Sequence, residues 1–135
     1  MLTREKLLDK FKEINMPANI EEIRRVEQDL NWSFTDDYII FLLLSSGLTT
    51  EGMLVLYELD ALVERNRTYE VQFYLPEYLM IGDDSGGEGI LIKKEVEVIY
   101  EIDMGGMDYE SMSESAPSLE ILLLSYGGKT LLERS

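Results

Sequence analysis

Fifteen residues, Tyr78-Leu-Met-Ile-Gly-Asp-Asp-Ser-Gly-Gly-Glu-Gly-Ile-Leu-Ile92, constrain the fold of this chain more than any others. Two short apolar runs, 78–81 and 90–92, flank four glycines and three acids. Apolar runs of strand length around a glycine-rich connection read as two strands joined by a tight turn. Gly82, Gly86, Gly87 and Gly89 supply the backbone freedom such a turn needs, and Asp and Ser hydrogen-bond their own backbone there. Asp83, Asp84 and Glu88 then read as a surplus, because a turn has no use for three like charges so close together. With no Lys, Arg or His in the turn, whatever meets it is not an anion.

A hairpin needs a second layer to bury its apolar face, and the flanking sequence provides helices. Thr3 caps a first helix with Leu7, Leu8, Phe11 and Ile14 on one face, ended by Met16-Pro17. Asn19 and Glu22 form an Asn-headed variant of the capping box, opening a helix with Ile20, Ile23, Val26 and Leu30 inward. A third helix runs from Asp36 to Ser45, with Asp36 and Asp37 complementing its N-terminal dipole and Gly47 stopping it. Its 39–44 run is apolar on nearly every side, which predicts the most buried helix. Beyond Gly52 the pattern predicts a strand over 53–57, a helix over 59–69, the hairpin and a strand over 96–102. A loop over 103–115 and a last helix over 119–126, closed by Gly127-Gly128, complete the chain. This order predicts one α+β domain over residues 1–135, a central antiparallel or mixed sheet flanked by helices.

Charge narrows the function classes. Twenty-seven acids against twelve bases leave −15, and the imbalance is uneven. Eight acids and no base lie between Glu95 and Gly128, and five acids and no base between Thr68 and Ile92. Such a field repels nucleic acid, whose binding depends on neutralising phosphates. It speeds encounter with a basic partner, although excess acid also simply keeps a protein soluble. Cysteine and histidine are both absent, which excludes disulfides, thiolate zinc sites and Cys or His nucleophile–base pairs within the chain. The commonest general base near neutral pH is therefore missing, and no catalytic residue is assigned. The longest apolar run, 39–44, falls far short of the roughly 20 residues of a membrane-spanning helix. The N-terminus lacks the apolar core of a secretion signal, so a cytoplasmic protein without membrane contact is expected.

The acidic turn also invites a calcium reading, but glycines occupy two of its first five loop positions, Glu88 the sixth and Lys94 the twelfth. That fails the EF-hand pattern, and Gly82-x-x-x-Gly86-Gly87 lacks the Lys-Ser/Thr ending of a phosphate loop. No metal or cofactor is expected. Paired carboxylates for glycoside hydrolysis carry little weight in a chain with 27 acids, where pairs arise by chance. Most of the eight tyrosines suit the edge of a core, hydroxyl to water. Tyr109 stands apart, within an acidic loop beside Asp103, Asp108 and Glu110, where an exposed ring suits a protein interface. Met104, Met107 and Met112 share that loop, either to re-pack against a partner or to tuck beneath it as satellite core.

Together these segments resemble the SUKH superfamily of small α+β domains. The helix over 20–30, Trp32, and Phe34-Thr-Asp-Asp-Tyr-Ile-Ile-Phe-Leu42 are similar to the family's Leu-Pro-x-x-Tyr-x-x-Phe-Leu helix. Ser46-Gly47 falls where the family often has Asn-Gly or Gly-Gly, and residues 81–92 resemble its strand–turn–strand signature. Thr35 stands where Pro is usual. The resemblance spans about residues 19–124 and implies a binder rather than a catalyst. Many bacterial members are immunity proteins that block a cognate toxin, often a nuclease, and eukaryotic relatives include regulators tied to cell-wall synthesis.

The expectation is an antitoxin-type immunity protein that occludes a basic toxin through Asp83, Asp84 and Glu88. Asp103, Asp108, Tyr109 and Glu110 join that surface if the two loops share a face. The alternatives are a regulatory or scaffold module that binds a cellular protein or its own copy as a homodimer, and a carboxylate-dependent hydrolase or metal protein.

Overall fold

The computed structural model describes residues 1–11 and 13–135. Three helices come first: α1 (Arg4–Lys10), α2 (Ile20–Leu30) and α3 (Asp36–Leu44). Thr3 accepts a hydrogen bond from the Lys6 N–H, and Asn19 and Glu22 form the reciprocal capping box. α1 ends at Lys10, well before Met16-Pro17, because Phe11 turns extended and lays its ring against Gly128. Leu8 and Ile20, expected inward, are exposed. α3 buries Tyr38, Phe41 and Leu42, and burying a Phe or Leu contributes about 1.5–3 kcal/mol. Its other side leaves Ile40 and Leu43 42% and 40% exposed, so a helix apolar all round is covered on one side only.

The sheet is a six-stranded meander, β1 (Leu48–Thr49), β2 (Val55–Leu56), β3 (Tyr78–Asp83), β4 (Glu88–Lys93), β5 (Val96–Asp103) and β6 (Ser113–Ala116), in sequence order. Every neighbouring pair is antiparallel, which settles the expected sheet type. Between β2 and β3 lie a 3-10 turn (Leu59–Ala61), α4 (Leu62–Thr68) and the short α5 (Val71–Tyr74). After β6 come a π-helical turn (Ile121–Ser125) and α6 (Leu131–Arg134). β1, β6, α5 and α6 were not legible as elements, and β6 begins inside the expected loop. Register puts Tyr78, Met80, Leu91 and Tyr100 on one face of the sheet and Leu79, Ile92 and Ile99 on the other. Among the described residues, no helix is long and apolar enough to cross a membrane.

β2 reaches only Gly82 and Asp83 of β3. Any side chain at Gly82 would press on the Val55 carbonyl, so this close pairing demands glycine. Past that point Asn66 of α4 takes over, its amide donating to the Met80 carbonyl at 2.9 Å and its oxygen accepting from the Met80 N–H at 2.9 Å. Gln72 of α5 donates to both the Asn66 oxygen and the Tyr78 carbonyl, at 3.0 and 2.8 Å. Two side-chain amides thus occupy the place of a neighbouring strand.

Replacing Asn66 with Ala orphans a buried N–H and a buried carbonyl of Met80. Chemical denaturation is expected to show a loss of about 2–4 kcal/mol. Tyr38 poses the opposite case: its hydroxyl is fully buried and has no hydrogen-bond partner among the described residues. Burial accordingly pushes the phenol far above its ordinary value. Tyr38→Phe removes that unpaired group and is expected to raise stability by about 1 kcal/mol in the same measurement.

Candidate functional site

The β3–β4 turn uses two of the three acids that looked surplus. Asp84 is only 2% exposed, and its Oδ1 accepts from the Gly86 and Glu88 N–H groups at 2.8 and 2.9 Å. Asp83 accepts from the Ser85 N–H at 2.9 Å through Oδ1 and from the Tyr57 hydroxyl at 2.6 Å through Oδ2. Ser85, with φ of +62°, in turn donates its hydroxyl to the Met53 carbonyl. The tight reversal leaves three N–H groups without ladder partners, and short carboxylates satisfy them. Of the glycines, Gly87 holds φ at +105° and Gly89 would crowd Met80 and Met104 with a side chain, whereas nothing at Gly86 requires the residue.

Glu88 is the acid the turn does not bond. Half-buried, it faces Asp103 across the β4–β5 ladder, and its side chain has no hydrogen bond among the described residues. Burial, followed by the charges of Asp103, Asp84 and Glu101, raises its carboxyl above the ordinary value. Asp84, Glu88, Glu101 and Asp103 line a cleft of about 460 Å³ together with Leu131 and Leu132. Among the described residues, no three such groups converge closely enough to hold a metal ion.

The 103–115 segment joins the turn in part. The Met104 N–H bonds the Gly87 carbonyl, bringing Asp103 to the turn, and Asp103 accepts from the Gly105 N–H. Asp108 accepts from the Ser111 N–H, while Glu110 is exposed and its side chain makes no hydrogen bond among the described residues. Tyr109 is 58% exposed, but its ring rests on Tyr78, 6.0 Å between centroids, at the opposite end of β3 from the turn. Met107 is buried and Met104 and Met112 pack against the core, so the three methionines are satellite core.

Two features escaped the sequence reading. Glu101 is buried within β5 and accepts from the Ser115 hydroxyl at 2.7 Å and the Leu131 N–H at 2.9 Å, while Arg134 donates to Ser115. Glu101 follows the strand alternation, so nothing in the local pattern marks it as different. The second is a groove of about 1290 Å³ between the α2–α3 junction and the β4–β5 turn, with Trp32, Lys94, Asp37 and Glu97 in its lining. There Asp37, expected to complement the α3 dipole, is instead disfavoured as a charge: burial first, then Glu97, Glu120 and Asp36, raise its carboxyl.

The strain at Glu88 gives a pH signature. A carboxyl raised in the folded state favours folding below its unfolded value and opposes it as pH rises through the folded one. Glu88→Gln is expected to raise the melting temperature at pH 7 by about 1–3 °C, the gain vanishing below about pH 4, where both states are protonated. Thermal melts across that range check the sign.

No curated protein matches the sequence. A family model does match, over residues 17–125 and hence most of the chain, including α2, α3, the whole sheet and the acidic turn. The chain belongs to the SMI1/KNR4 family, SUKH-1.

Proposed function

We propose that this chain is an immunity protein that binds a cognate bacterial toxin stoichiometrically and covers its active site, performing no chemistry of its own. The observation that carries the reading is family membership combined with a cleft lined by Asp84, Glu88, Glu101 and Asp103 and by no Lys or Arg. Family members bind partner proteins, and the segment from Glu95 to Gly128 holds eight acids and no Lys or Arg. A nuclease fits as the toxin, since a groove built for phosphates is basic and an acidic surface fills it as a mimic. Glu88 of the turn, and Asp103, Asp108 and Glu110 on the segment that follows β5, reach solvent, and they steer the encounter. Asp83 and Asp84 contribute by shaping the turn. The same family membership fits a regulatory binder of a cellular protein, and identity of the partner separates the two.

Co-expression with the toxin encoded beside its gene tests the proposal directly: protected cells support it, and cells that die as fast as without the chain remove it. Stopped-flow mixing of the two proteins tests the surface. Glu88→Lys with Glu110→Lys, neither side chain being hydrogen-bonded among the described residues, is expected to slow association about tenfold at low salt, with the gap closing at high salt. Equal rates at low salt would take the acidic end out of the encounter.

A further inference from the structure

The most exposed aromatic group of the molecule lies away from the acidic turn. α5 is held from within by Val71 and Leu75, both fully buried, and by the Gln72 amide on Asn66 and Tyr78. Glu70 starts it in the left-handed region at φ of +52°, and its carbonyl accepts from the N–H groups of Phe73 and Tyr74. Those two side chains point away from everything that fixes the helix. Phe73 is 77% and Tyr74 50% exposed, and neither packs against the hydrophobic core. Polar residues would serve the fold equally well at both positions.

The two rings do contact each other, edge to face at 89° with centroids 5.0 Å apart. Such a pair is a rigid apolar knob with few rotamers to lose, the composition from which interface hot spots are made. Tyr109 is less available, because one side of its ring already rests on the buried Tyr78.

Charge selects the occupant. Glu70 and Glu77 bracket α5, both exposed and without an ion pair among the described residues. A second copy of the chain brings another −15, and nucleic acid or an anionic membrane brings more negative charge still. We propose that Phe73 and Tyr74 are the aromatic anchor of the partner interface, entering an apolar pocket rimmed by Lys or Arg on the toxin. This rests on the toxin-binding reading and adds to it: acids at one end of the sheet set the rate of encounter, while the knob beside Tyr78 sets how long the complex lasts.

The test is titration of the toxin domain encoded beside the gene with three forms of the chain. These are the wild type, Phe73→Ser/Tyr74→Ser and, as a control elsewhere on the surface, Leu8→Ser, each first shown to melt as the wild type does. The double variant is expected to bind about 100-fold more weakly, through faster dissociation, and the control within about threefold of wild type. A double variant that binds within about threefold overturns the anchor while leaving the toxin reading intact. A wild type that binds no toxin removes both. A wild-type dimer in sedimentation that the double variant dissolves, with toxin affinity unchanged, assigns the knob to self-association and overturns the proposal.

Discussion

Two hydrogen bonds between the Asn66 side chain and the Met80 backbone carry β3 past the point where β2 stops pairing with it. Without them the central strand would bury an unpaired N–H and carbonyl, each costing about 1–3 kcal/mol. The arrangement fixes more than one strand. α4 must lie where Asn66 reaches β3, and α5 must follow where Gln72 completes the same network. The position of the Phe73–Tyr74 knob is therefore set by the hydrogen-bonding needs of the sheet, three residues of chain away from β3.

Carboxylates serve two purposes here, separated by whether a donor faces them. Asp83, Asp84 and Glu101 point at N–H and O–H donors and behave as parts of the backbone framework. Glu88 and Glu110 find no donor among the described residues, and burial, followed by the neighbouring acids, makes Glu88 harder to ionise. A formal charge of −15 thus overstates what is free to act on a partner.

Elements with strong local signals were legible: the Asn19 capping box, the apolar stretch of α3, and the glycine-bounded hairpin of β3 and β4. The two-residue strands β1 and β2 carry no periodicity to read, and β6, Ser-Glu-Ser-Ala, is polar because it lies at the sheet edge. The acids of the turn were misread for a different reason. Whether an aspartate is surface charge or structural acceptor depends on where nearby N–H groups point, and that follows from backbone angles such as the +62° at Ser85. α5 was missed because four residues cannot display a helical period, so its exposed rings looked like ordinary apolar residues before β3.

The C-terminal residues that hold Ser115 and Glu101 also decide how the sheet ends. β6 is its last strand, and Ser115 is the bulge residue without a partner on β5. Arg134 occupies the Ser115 carbonyl, and the Leu131 N–H is anchored on Glu101 alongside. An unguarded outer strand is a template on which further chains add, edge to edge. α6 therefore keeps one acceptor of the outermost strand occupied: without Arg134 the Ser115 carbonyl would be open to a donor from another chain.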